Sequence, residues 1–262
     1  MRRDRHKKQR GVAFGALGVL LLALGSVAAI APWNAPPIDP NTFCPKDGVH
    51  ARTAILFDAT DPMDEQTIER VRTHAETLVR ERLELYEWAG VFVLGEDNLA
   101  LPTPSIALCN PGNESTCNPL VVNCQDVARE FERKFERPMR EAIESLARLP
   151  AGQRSPILEM IRSVALARHF EGAERKRLVV VSDMLQNVPG QYSHYDGNND
   201  FARWSDGDYA REFLRPILNG VEVEIWYIKR PELRGLQTRG HVDFWESYFA
   251  AAGARVKKVV PL

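Results

Sequence analysis

The stretch "TAILFDATDPMDEQ", Thr53 to Gln66, decides how the chain is read. Its apolar centre, Ile55 to Phe57, runs straight into an acidic, hydroxyl-bearing turn of Asp58, Thr60, Asp61 and Asp64. A short continuous apolar run bounded by a turn is the pattern of a strand buried on both faces. Three uses of the turn are open at this point: a metal site, a catalytic acid pair, or a polar cap between a strand and the helix that follows.

Outward from the strand Thr53–Asp58, the pattern alternates. A helix is predicted from Asp64 to Tyr86, with Ile68, Val71, Ala75, Leu78, Val79 and Leu83 on one face. "GVFVLG" reads as a second strand, and "SIALC" as a short third strand pairing back against it. A charged helix follows over Gln125–Leu149, kinked or split at Pro138. The next helix, Ser155–Phe170, opens with Ser155 as cap and Pro156 as first residue. "RLVVVSD" has the unbroken apolar character of a central parallel strand. After a long polar loop come a short helix around Tyr209–Leu218 and the strand "VEVEIWYI", with Glu222 and Glu224 at its half-exposed end. A helix over His241–Ala252 and an edge strand "ARVKKVV" close the chain. The expected fold class is α/β, a mostly parallel, doubly wound, Rossmann-like sheet with helices on both faces.

The ends of the chain differ in character. Residues 1–10 hold six Arg or Lys and one Asp, so +5, which leaves −6 on the other 252 residues of a chain whose net charge is −1. "GVAFGALGVLLLALGSVAAIA", Gly11 to Ala31, carries no charge over 21 residues, enough to span the roughly 30 Å core of a bilayer. A signal peptide cleaved after Ser26-Val27-Ala28 is the alternative, but the run is longer than the usual signal core. Either way the body is exported, and the basic head marks the cytoplasmic side. The expected organisation is a cytoplasmic head at 1–10, a transmembrane helix at 11–31, a Pro-rich extended linker at 32–52 and an α/β body at 53–262. This places the chain in the inner membrane as a single-pass protein with a periplasmic body. The linker meets the first strand at its N-terminal end, so the opposite rim is expected to face away from the membrane.

The four cysteines, Cys44, Cys109, Cys117 and Cys124, agree with export and read as two disulfides rather than a zinc site. A third strand antiparallel to the second carries Cys109 back to the end of the sheet from which Cys44 enters. The predicted pairing is therefore Cys44–Cys109 and Cys117–Cys124. Asn113-Glu114-Ser115 is a formal glycosylation sequon.

Two strands end in an acid, Asp58 and Asp183, where parallel sheets bind ligands. "LFDATDP" resembles the metal-binding Asp-x-Ser-x-Ser motif of von Willebrand factor type A (vWA) domains. "SPILEMI" is similar to their second, Thr-led helix start, and "VVVSDM" to the strand that ends in Ser/Thr-Asp-Gly. The order matches over about residues 53–260. The resemblance implies one Mg²⁺ or Mn²⁺ held by Asp58, Thr60, Ser155 and Asp183, with a position open for an acidic group of a partner. Two positions depart from the pattern: Pro62 replaces a hydroxyl residue, and Met184 replaces the Gly. Asp61 or Asp64 could supply the lost oxygen.

Other chemistries find less support. There is no G-x-G-x-x-G or G-x-x-x-x-G-K-[ST], so no nucleotide is expected, and the acidic body does not suit nucleic acid. The spacing of acids after Asp58 departs from that of haloacid dehalogenase phosphatases, and no G-x-S-x-G occurs. Asp196, Asn198 and Asp200 imitate the start of a calcium loop, but Phe201 stands where Gly is needed. The loop around them reads as a solvated segment, or as a partner-binding one anchored by Tyr192, Tyr195 and Trp204. The expectation is a non-enzymatic, membrane-tethered module that binds an unidentified protein partner in an envelope complex. A metal-dependent hydrolase and a scaffold with a degenerate site are the alternatives.

Overall fold

A computed structural model of the chain describes residues 36–95, 103–150, 152–197 and 199–262. The basic head, the apolar run 11–31, the start of the linker and Asn198 lie outside the described residues. Among those described, no helix is long and apolar enough to cross a membrane. The contacts divide the chain into two units. In the smaller one, Ile38 bridges Pro45 and Lys46 N donates to the Pro37 carbonyl at 2.8 Å. The larger holds Asp39–Cys44 and Gly48–Leu262.

In the larger unit the strands are β1 (Ala51–Asp58), β2 (Trp88–Leu94), β3 (Ile106–Cys109), β4 (Arg175–Ser182), β5 (Asn187–Val188), β6 (Tyr192–Ser193), β7 (Val221–Tyr227) and β8 (Arg255–Pro261). The helices are α1 (Glu65–Thr77), α2 (Cys124–Phe131), α3 (Arg137–Leu146), α4 (Ile157–Ala165), α5 (Phe201–Ser205), α6 (Asp208–Arg211) and α7 (Arg239–Ala251). Six strands form one sheet in the order β3-β2-β1-β4-β7-β8, and β5 pairs only with β6. All neighbours in the large sheet are parallel except β2 and β3. Alternating side chains of β1 enter two cores. Ala54 and Leu56 pack with α4 and α7 residues such as Ile161 and Phe249. Ile55 and Phe57 pack with α1 and α3 residues such as Val71 and Met139. Burial on both faces is why β1 and β4 read as unbroken apolar runs.

The strand order reverses between β1 and β4. Successive strands run outward from β1 to β3, and the chain then returns to pair β4 against the other side of β1. This creates a crevice beyond the carboxyl ends of β1 and β4, where open parallel sheets receive ligands.

Several helix boundaries differ from the sequence reading. α1 starts as expected, with Asp64 accepting from Thr67 N at 2.6 Å. It ends in a wide turn, Leu78–Arg82, because Leu83 turns extended at ψ 129°. The Gln125–Leu149 helix divides ahead of Pro138. Pro138 has no N–H to give, and Arg137 N bonds instead to Glu132 O in a wide π turn over Glu132–Glu136. The predicted helix around Tyr209–Leu218 shortens to α6, which ends at Arg211, and a further short helix, α5, forms in the polar loop before it. Glu224 is buried, not half-exposed. It pairs with Arg82 and, at 3.5 Å, with Lys258. Ion pairs of this kind let the lysines of edge strand β8 sit beside β7, with Lys257 2.9 Å from Glu222.

Both disulfides pair as the topology predicted, Cys44–Cys109 and Cys117–Cys124. They close loops of sequence separation 65 and 7. In the chain-entropy treatment these constrain the unfolded chain by about 4 and about 2 kcal/mol respectively. The Cys44→Ser/Cys109→Ser variant is therefore expected to lose more unfolding free energy than Cys117→Ser/Cys124→Ser, measured by urea denaturation. Equal losses would show that something other than loop length governs the effect.

Candidate functional site at the sheet rim

At the end of β1, Asp58 is buried and each of its carboxylate oxygens accepts from two donors. Oδ1 takes Thr60 N at 3.0 Å and Thr60 Oγ1 at 2.6 Å. Oδ2 takes Ser182 Oγ at 2.6 Å and Ser155 Oγ at 3.3 Å. Ser155 does not cap its helix. It bridges Asn187 of β5 through backbone bonds of 2.9 Å in both directions, which swings its hydroxyl towards Asp58. The buried N-terminus of α4 is served from elsewhere, by Gln186 Oε1 accepting from Leu158 N at 2.9 Å.

Asp183 follows β4 and is also buried. Its Oδ1 accepts from Leu185 N at 2.9 Å, and its Oδ2 from Arg230 Nε at 3.2 Å. Burial first, and then the charges of Asp58 and Asp61, push its carboxyl up to about 7. Asp61 is raised as well, by burial and then by Asp58, while Arg230 and a hydrogen bond with Asp183 oppose the shift. The opening turn thus divides. Asp58, Thr60 and Asp61 face the rim, and Asp64 caps α1.

Met184 occupies the position where the vWA resemblance asks for Gly, and it keeps a left-handed backbone at φ 63°. Such a conformation costs on the order of 1 kcal/mol for a residue with a side chain and persists only where its surroundings enforce it. Here Met184 N donates to Ser182 Oγ at 2.8 Å. The Met184 carbonyl accepts from Trp245 Nε1 at 2.8 Å and lies 2.9 Å from His241 Nε2. Tyr227 donates its hydroxyl to His241 Nδ1 at 2.6 Å, the tautomer this network requires.

Behind this turn lies an aromatic cluster. His194 is fully buried, edge-on to His241 with ring centroids 4.5 Å apart, and neither ring nitrogen has a hydrogen-bond partner among the described residues. Tyr192 and Trp204 belong to the same cluster, packed on Phe244. They are core residues, which corrects their reading as loop anchors. Tyr195 remains 42% exposed. Its phenol is pushed up to about 12 by burial and then by Asp183 and Asp61, which places it on the rim. Of the calcium-like loop, Asp200 caps α5 by accepting from Arg203 N at 3.2 Å.

The four residues singled out in the sequence, Asp58, Thr60, Ser155 and Asp183, come together at one crevice from three separate loops. Three further participants were missed. Ser182 was legible, since it stands directly before Asp183 in the quoted strand. Arg230 and Gln237 carried no local signal. Gln237 Nε2 donates to the carbonyls of Asp183 at 3.0 Å and Ile228 at 2.8 Å.

No family model matches the chain, and no curated protein matches it in sequence. Solved structures with a similar fold include the SpRpn10 VWA domain, at 14% identity over 81% of this chain and 89% of that one, with a TM-score of 0.41. An aerotolerance-related membrane protein from Bacteroides fragilis, carrying multiple mutations to serines, is 11% identical over 81% and 91%, with a TM-score of 0.43. The conserved hypothetical protein BatB from Bacteroides thetaiotaomicron is 15% identical over 81% and 90%, with a TM-score of 0.41. In strand order and in the three loops that meet at the rim, the body of this chain resembles a vWA domain.

The donor set can be tested against the Mg²⁺ or Mn²⁺ that a vWA-like domain implies. Among the described residues no three His, Cys, Asp or Glu side chains form a metal-holding group on their own. An ion would therefore depend on hydroxyl oxygens. Thr60 and Ser155 both donate their protons to Asp58, which leaves oxygen lone pairs for a hard cation. Burial and the neighbouring carboxylates that raise Asp183 and Asp61 are both offset by a dication beside them. In chemistry and placement the residues fit such an ion.

The histidine pair yields a pH prediction. Burial holds His194 well below 6.5 and His241 down to about 4. Both rings are thus neutral when folded, while the unfolded chain takes up protons as pH falls through 6.5. Stability is full above that value and is lost progressively below it, as the unfolded chain takes up protons that the folded rings refuse. His194→Phe is expected to flatten the fall in melting temperature between pH 7 and pH 5. An unchanged slope would rule His194 out as a contributor.

Proposed function

We propose that this chain is a membrane-tethered, exported binding module whose β1/β4 rim takes an acidic group of a protein partner with the help of Mg²⁺ or Mn²⁺. The observation that carries this reading is the convergence of Asp58, Thr60, Ser155 and Asp183 at the switch point, organised around one buried carboxylate. Asp58 orients the two hydroxyls, and Asp183 supplies the opposing charge. A bound divalent ion would contribute electrostatic attraction for a carboxylate. Beside the rim, a cleft of about 440 Å³ lined by Asn187, Tyr192, Ser193 and Tyr195 offers room for a partner side chain. Two disulfides support a location outside the cytoplasm. The uncharged run 11–31 supports the tether.

The test is thermal. An ion that binds only the folded chain stabilises it by about 2.7 kcal/mol at a hundredfold excess over its Kd. The full-length chain in detergent is expected to melt higher in Mn²⁺ than in chelator, and Asp58→Ala to lose that response. Crosslinking from position 195 in membranes is expected to capture a protein in Mn²⁺ and far less of it in chelator. No Mn²⁺ response in the wild-type chain would favour a scaffold with a degenerate site. Turnover in a phosphatase substrate panel would favour a hydrolase.

A further inference from the structure

Two carboxylates at the rim, Asp61 and Asp183, share one guanidinium, that of Arg230, and Asp58 lies close enough to both to add its charge. Arg230 comes from the turn after β7, the neighbour of β4, and its seat is built by backbone and amide bonds. Ile228 N donates to Ser182 O at 3.0 Å, and Lys229 N to Leu262 O at 3.0 Å. Arg230 N donates to Gln237 Oε1 at 2.7 Å, while the amide of that same Gln237 holds the Asp183 carbonyl. From this seat the guanidinium spans the crevice. Nε donates to Asp183 Oδ2 at 3.2 Å, and Nη1 donates to the Pro62 carbonyl. The Arg230 side chain is 13% exposed and that of Asp183 1%, so the pair is poorly screened by water. Pro62 is the position at which the vWA resemblance asks for a second ligand hydroxyl. The residue that cannot offer a side-chain oxygen instead offers its backbone oxygen to a cation from the chain itself.

We propose that Arg230 is the built-in counter-cation of this rim and sets its affinity for divalent ions. It occupies Asp183 in the ion-free protein and has to release that carboxylate when an ion is held there. The inference rests on the divalent-ion reading above. Its physical content is competition between like charges: a guanidinium bonded to Asp183 repels an incoming dication and uses one of the acceptors that the dication needs. A merely structural Arg230 would behave differently, since removing it would weaken the fold and leave ion affinity unchanged or lower.

The experiment uses the full-length chain in detergent as wild type, Arg230→Gln and Arg230→Lys. Mn²⁺ binding is read directly from the loss of the free-ion paramagnetic resonance signal, with melting temperatures measured in parallel. Arg230→Gln is expected to melt lower than wild type in chelator, to bind Mn²⁺ roughly tenfold or more tightly, and to regain its melting temperature in Mn²⁺. Arg230→Lys is expected to lie between the two. It keeps the charge but loses the fork that spans Asp183 and Pro62. Equal Mn²⁺ affinity in wild type and Arg230→Gln overturns the role of Arg230 and leaves the ion site standing. Absence of binding in all three proteins overturns the ion site and this inference with it. Should Arg230→Gln fail to fold, Arg230→Lys decides: tighter binding than wild type supports the inference, and equal affinity overturns it.

Discussion

The rim depends on the carboxylate of Asp58. A charge taken out of water is tolerated only where its oxygens are satisfied, and the penalty otherwise is several kcal/mol. Four donors from three stretches of chain meet that demand here: the Thr60 amide and hydroxyl, and the hydroxyls of Ser155 and Ser182. Each donor is thereby fixed in place, and so is the backbone that carries it. The remaining geometry follows by electrostatics. Burial and then the charge on Asp58 raise both Asp61 and Asp183, and Asp183 pairs with Arg230 from the neighbouring loop.

Much of this is legible in the sequence. Strands β1 and β4 were visible because burial on both faces demands unbroken apolar runs, and their terminal acids marked the rim. The disulfide pairing was legible because it depends only on strand direction: an antiparallel β3 must return Cys109 to the side from which Cys44 enters. Helix ends were not legible, because they are decided by distant partners. Ser155 looks like a cap locally, yet its hydroxyl is claimed by a residue 97 positions away. Tyr192 and Trp204 sit in a polar stretch, and only their packing on Phe244 of α7 shows them to be core. Gln237 acts on backbone carbonyls, and Arg230 reaches a carboxylate 47 positions away, so neither leaves a trace in local pattern.

The Met184 turn joins rim to core. Its carbonyl is shared by His241 and Trp245 on α7, and its amide is held by Ser182, which also serves Asp58. A shift of the rim loop would orphan polar atoms in the interior, at a cost of 1–3 kcal/mol each. The backbone of the rim is consequently preorganised.

The Cys44–Cys109 bond also defines how the body carries mechanical load. Tension entering from the N-terminal side reaches Cys44 and passes through a covalent link to Cys109 at the end of β3. The intervening chain, which includes the whole of β1 and β2, is bypassed. Pulling therefore cannot peel the central strand from its neighbours starting at its own N-terminus. The force enters the sheet at edge strand β3 instead, away from the ladder that pairs Ala51–Phe57 of β1 with β4.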